Sequence, residues 1–145
     1  MAATETIERL TQALADTYAL SLKTLNFHWN VTGPEFSALH ALFEEQYSEL
    51  TSAIDLIAER IRMLGAKTPA NFTLFNQLKT IDDGNENLSA NEMVKTLAED
   101  NHKIQATLNQ VFTAAQKIDD EVTMDMMIGR LEIHQKNVWI LESSL

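Results

Sequence analysis

From Phe36 to Leu64 the chain runs without a Gly or a Pro. Apolar residues recur through this stretch at helical spacing, so it forms one helix near 30 residues and about 45 Å long. The rest of the sequence is equally poor in residues that reverse a backbone. Four Gly and two Pro serve 145 residues, too few for the many turns of a β-sandwich. The breaks they make are well separated: Gly33-Pro34, Gly65 to Pro69, and Gly84 within Asp82-Asp83-Gly84-Asn85. Gly129 stands alone inside an apolar periodic stretch and is read as a helical residue. Between the breaks, Ile7, Leu10, Leu14, Tyr18 and Leu25 mark a first helix over about 4–30. Phe72, Leu74, Phe75 and Leu78 suffice for one short helix in the long middle connection. Ser89-Ala90-Asn91-Glu92 has the form of a capping box and starts the third long helix, whose stripe is Leu97, Ile104, Leu108, Val111, Ala115 and Ile118. Asp119-Asp120-Glu121 places acid at the start of a fourth helix running almost to the end. The expected fold class is all-α: a four-helix bundle with a short extra helix between the second and third long helices.

Composition narrows the chemistry. The length suits a single domain over residues 1–145. With 45% hydrophobic residues the chain is not disordered, and with no Cys it has neither a disulfide framework nor a thiolate site. Eleven Lys and Arg against 21 Asp and Glu give −10, a balance that favours cations over nucleic acid. The N-terminal residues carry no basic and apolar leader, and no window approaches 18 uninterrupted apolar residues. A cytoplasmic protein that does not enter the membrane is the expectation.

The second helix carries two pairs at i, i+4: His40 with Glu44, and Asp55 with Glu59. At 100° per residue the four fall at about 0°, 40°, 60° and 100°, on one side of the helix. Their midpoints are about 22 Å apart along the axis, so one helix cannot bring both pairs to one metal. Two copies packed antiparallel, crossing near residues 49 and 50, bring the His40/Glu44 end of each beside the Asp55/Glu59 end of the other, twice over. His28 lies twelve residues before His40, across the Gly33-Pro34 turn, and reaches the same place. Imidazole and carboxylate without sulfur suit Fe(II), Mn(II) or Zn(II). Such spacings also occur on solvated helix faces, and Asp55 and Glu59 near Arg60 and Arg62 read equally as surface charges.

The element Asn26-Phe27-His28-Trp29-Asn30-Val31-Thr32-Gly33-Pro34-Glu35-Phe36, then Leu39-His40-Ala41-Leu42-Phe43-Glu44-Glu45 and Asp55-Leu56-Ile57-Ala58-Glu59-Arg60-Ile61-Arg62-Met63-Leu64-Gly65, closely resembles the Dps family, the mini-ferritins first named as DNA-binding proteins from starved cells. The resemblance spans nearly the whole chain. It implies a ferritin-like bundle assembled as a hollow dodecamer that oxidises Fe(II), usually with hydrogen peroxide rather than oxygen, stores ferric mineral and protects against oxidative damage. It maps ferroxidase ligands onto His28 and His40 of one subunit and Asp55 and Glu59 of its two-fold partner. Glu44 stands where the family usually has Asp, and its longer side chain ligates directly or through water. Trp29 matches the family Trp beside the site, either donating an electron and limiting radical escape or packing at a subunit contact. Two Fe(II) supply both electrons for one peroxide, avoiding the one-electron route to hydroxyl radical. The metal that the resemblance implies is iron, with Zn(II) or Mn(II) as substitutes.

The same resemblance places Asp120, Glu121 and Asp125 along three-fold channels, where copies would concentrate Fe(II); acids at a helix start also complement its dipole. Met124, Met126 and Met127 read as packing. Glu99-x-x-His102 is the only Glu-x-x-His in the chain, and both residues lie well off the Leu97 stripe, by about 200° and 140°, facing solvent. His134 reads as a surface or interface residue. Two further functions stand beside ferroxidase: a DNA-compacting architectural protein and an inactive structural shell. The first eight residues hold no Lys or Arg, the C-terminus reads Glu142-Ser143-Ser144-Leu145, and twelve chains at −10 would carry −120, so DNA binding is not expected.

Overall fold

The computed structural model describes residues 2–145, leaving Met1 outside the described residues. Five helices follow one another: α1 (Thr4–Asn30), α2 (Phe36–Met63), α3 (Phe72–Leu78), α4 (Ala90–Lys117) and α5 (Glu121–Ser143). No strand occurs among the described residues. The expected bundle and its extra helix are both present, and Gly129 lies inside α5.

The helix ends follow from local chemistry. Gly33 and Gly65 adopt φ of 106° and 98°, left-handed values that favour glycine; Gly33 turns the chain between α1 and α2, and Gly65 ends α2. Asn71 caps α3 by accepting from the Leu74 amide at 2.9 Å. Ser89 and Glu92 form the full capping box of α4. Asp120 caps α5 through the Thr123 amide, and Asp119 takes φ 55° in the tight corner before it.

Cross-helix contacts fix the topology. Lys117 meets Glu5, Arg9 meets Gln110, and Lys23 meets Asp100, so α1 and α4 run antiparallel. Arg60 meets Asp120 and Glu49 meets Arg130, so α2 and α5 run antiparallel as well. The short connections 31–35 and 118–120 make α1 antiparallel to α2 and α4 antiparallel to α5. Therefore α2 and α4 are parallel, and residues 64–89 must traverse the length of the bundle between them. Asp16, fully buried on α1, staples this crossover. Its carboxylate accepts from the Thr80 hydroxyl and amide, the Ile81 amide and the Thr107 hydroxyl.

Two apolar clusters fill the interior. One is built around Leu20, Phe27, Phe43, Leu50, Leu97 and Ile104, the other around Leu10, Leu14, Ile57, Ile61, Leu108 and Met127. Large apolar side chains also remain exposed on two faces: Leu22, Trp29 and Phe72 beside α3, and Val122, Ile128 and Trp139 along α5.

Candidate metal centre

The turn at Gly33 folds the end of α1 onto the start of α2 and brings His28 against His40. The rings stack with centroids 3.9 Å apart and planes 13° from parallel. Each ring is tied to the other's backbone: His28 Nδ1 donates to His40 O at 2.7 Å, and His40 Nδ1 donates to His28 O at 2.7 Å. A carbonyl only accepts, so both rings carry hydrogen on Nδ1 and, when neutral, leave Nε2 with a free lone pair. A hydrogen bond at one ring nitrogen that fixes the tautomer and the direction of the other is the arrangement of metal-binding histidines. Phe36 stacks on His40 at 5.0 Å and Tyr47 leans on His28 at 5.3 Å, which closes the stack from both ends.

The carboxylates stand elsewhere. Glu44, Asp55 and Glu59 are exposed along one strip of α2, and none is held in an ion pair among the described residues. No three His, Asp or Glu side chains within the described residues converge on one point able to hold a metal. One chain therefore brings His28 and His40 together and does not bring Asp55 and Glu59 to them. The separation is that of the helix itself, about 22 Å between pair midpoints.

Trp29 is 67% exposed. It lines a groove of about 530 Å³ between α1 and α3 with Leu22, Tyr18, Phe72 and Phe75. Glu121 and Asp125 are exposed on the first turns of α5. Asp120 is not free in the same way: its carboxylate receives Arg60 Nη2 at 2.9 Å and the Thr123 hydroxyl and amide. Partial burial raises its pKa, but the Thr123 and Arg60 donors outweigh this and hold it below the usual range. Glu99 and His102 are exposed as expected, and Met127 is buried packing.

His134 corrects the reading made from sequence. It is neither at the surface nor at an exposed interface position but fully buried inside the bundle. Burial, and the adjacent Arg130 charge, push its pKa down to about 3. Its partners Asn101, Arg130 and, through Arg130, Glu49 come from three helices. Only Arg130 and His134, four apart on α5, share a sequence signal. Phe36 and Tyr47 were likewise missed, because an aromatic at helical spacing looks the same whether it packs a core or a ligand.

An antiparallel bundle with a traversing middle connection, and two histidines stacked and locked together at one end, is the frame of a ferritin-like protein. Residues 7–145 match the ferritin-like domain family. The DNA protection during starvation protein 2 of Bacillus anthracis is 36% identical over 141 residues, covering 97% of each chain. The crystal structure of a Dps protein from Bacillus brevis superposes with a TM-score of 0.92 at 34% identity, over 95% of this chain and 93% of that one. A Vibrio cholerae O1 Dps structure, described as belonging to a broad superfamily of ferritin-like diiron-carboxylate proteins, gives 0.94 at 27% identity, over 98% and 89%. The chain belongs to the Dps family of ferritin-like proteins.

Proposed function

We propose that the protein is a ferroxidase and iron store that protects against oxidative damage. Fe(II) is its substrate, and the oxidising site is shared between two subunits. His28 and His40 come from one subunit, Asp55 and Glu59 from its two-fold partner, and Glu44 from the chain of the histidines. The observation that carries this reading is the mutual locking of His28 and His40, which leaves two directed Nε2 atoms, while no three His, Asp or Glu side chains of one chain come together among the described residues to complete a site. The exposed, unpaired Asp55 and Glu59 on the same strip of α2 are what a second, antiparallel copy would supply.

The chemistry follows from the donors. Carboxylate oxygens stabilise the ferric product more than the ferrous substrate, and neutral imidazoles bind without adding charge. Two Fe(II) deliver two electrons to one hydrogen peroxide, which with two protons leaves as two waters, so no hydroxyl radical is released. Trp29, next in sequence to His28, would give up an electron when only one iron is bound, or else pack at a subunit contact. Zn(II) and Mn(II) fit the same donors and would compete. Glu121 and Asp125 line the channels through which Fe(II) reaches a hollow twelve-subunit shell, within the cytoplasm. Asp120 serves that region as a cap and as an anchor to Arg60.

The test is anaerobic loading with Fe(II) followed by peroxide, read as ferric absorbance. The parent protein is expected to consume about two Fe(II) per peroxide without detectable hydroxyl radical. His28→Ala/His40→Ala is expected to slow oxidation to the rate of buffer. Equal rates for the two proteins would reject the site.

A further inference from the structure

Asp83-Gly84 is the only Asp or Asn followed by Gly in the chain. It lies in the irregular part of the crossover between α3 and α4. Other aspartates of the fold are engaged: Asp16 by the Thr80, Ile81 and Thr107 donors, Asp100 by Lys23 at 2.8 Å, Asp120 by Arg60 and Thr123. The Asp83 side chain is 89% exposed, and its one partner among the described residues is the Lys79 ammonium at 3.3 Å, which also donates to Ile81 O. An aspartate inside a helix is protected, because the amide that follows it is held by a carbonyl one turn earlier. The Gly84 amide has no such tether, and no backbone carbonyl among the described residues accepts from it. Glycine also carries no side chain to screen its nitrogen.

We infer that Asp83-Gly84 is a self-modification site, where the chain isomerises to isoaspartate and so becomes a substrate for isoaspartyl carboxyl methylation. The Gly84 nitrogen attacks Cγ of the Asp83 carboxyl group. A C–N bond forms, a C–O bond breaks, and the amide proton leaves with the hydroxyl as water, giving a cyclic succinimide. Water then opens the ring at the main-chain carbonyl of Asp83. The peptide link now runs through Cβ and Cγ, and the former main-chain carbonyl carbon becomes a free carboxylate. The water lost is regained, nothing is oxidised or reduced, and the net charge is unchanged.

The fold gives this step a consequence. Gly84 lies directly on α1: a Cβ built on it would stand 3.1 Å from Lys23 Cγ and 3.4 Å from Asn26 Cγ. Lys23 is the buried cation that holds Asp100 of α4. An extra carbon in the main chain beside this contact lifts Gly84 or pushes Lys23 aside, and either loosens the crossover where it rests on α1. The inference stands independently of the ferroxidase reading.

The test is ageing of the full chain at neutral pH, natively folded and, in parallel, unfolded in urea. Isoaspartate is read by methyl transfer from S-adenosylmethionine with an isoaspartyl methyltransferase, and is located by peptide fragmentation. The native protein is expected to accumulate isoaspartate at residue 83 faster than at any other residue, and within a few-fold of the rate in the unfolded chain. This comparison needs no variant. Asp83→Glu, whose larger ring closes far more slowly, is expected to lose the label. Native protein that stays unlabelled at residue 83 shows that the fold shields the site and overturns the inference, as does label that survives Asp83→Glu. Hydrogen exchange reads the consequence. Crossover amides of the aged parent are expected to exchange several-fold faster than those of equally aged Asp83→Glu. Equal exchange once residue 83 has converted overturns the link to the Lys23 contact.

Discussion

Asp16 and Asp120 show what single carboxylates do here. Asp16 is fully buried with no cation, and its charge is met by four donors from the crossover and α4. Removing it leaves the Thr80 and Ile81 amides without their acceptor inside the protein. Charge-assisted bonds to buried groups contribute about 1.5–3 kcal/mol each, with strong non-additivity. Asp16→Ala is therefore expected to cost about 3 kcal/mol per chain in denaturant unfolding, with the crossover losing hydrogen-exchange protection first. A change below about 0.5 kcal/mol would show that the staple is replaceable by water. Nothing in the sequence marks Asp16 as special, since its donors lie 64 to 91 positions away. His28 and His40 are the opposite case. They lie twelve residues apart across one turn, so their meeting was legible, whereas the mutual Nδ1-to-carbonyl bonds required the backbone geometry.

At the scale of elements, α1 to α4 were readable because apolar period, caps and left-handed glycines agree. Helix α5 was readable in extent but not in orientation. Apolar residues surround it, with Met127 and Leu141 buried while Val122, Ile128 and Trp139 are exposed. Without a clear apolar face, the sequence could not say that His134 points inward. That inward position has a pH consequence. The folded-state pKa of His134, about 3, lies below the ordinary 6.5, so the unfolded chain binds the proton and the folded chain does not. Stability from this residue is full above pH 6.5 and is lost as pH falls toward 3, at up to about 1.4 kcal/mol per pH unit per chain. Asp100 acts in the opposite sense. Burial raises its pKa more than Lys23 lowers it, so its contribution is present below the ordinary carboxylate pKa and falls as pH rises through the folded value. His134→Gln is expected to flatten the acid limb of stability against pH between 6.5 and about 4. An unchanged slope would contradict a buried neutral imidazole.

For the whole molecule, charge and self-contact decide behaviour. If Glu121 and Asp125 line the iron path, Glu121→Gln/Asp125→Asn removes two charges per chain and is expected to slow iron uptake several-fold at low ionic strength, with a smaller effect at high salt. Equal uptake rates at low salt would remove these residues from the path. A net charge of −10 per chain opposes approach to phosphates. With divalent metal chelated, at neutral pH and physiological salt, no retarded plasmid band is expected in a gel shift, and a stable band would restore the architectural role. Both expectations depend on how chains meet, and the central claim is that two of them complete each oxidising site. The most direct measurement is reassembly of mixed subunits. His40→Ala and Asp55→Ala proteins are each dissociated, then refolded separately or together, and assayed for peroxide-driven Fe(II) oxidation. A mixed dimer retains one intact site and loses both halves of the other. Subunits reassembled together are therefore expected to regain up to about a quarter of parental activity, half the dimers being mixed with one working site of two. The same proteins mixed without dissociation are expected to stay inactive. Co-reassembled protein no more active than either variant alone would contradict a site shared between chains.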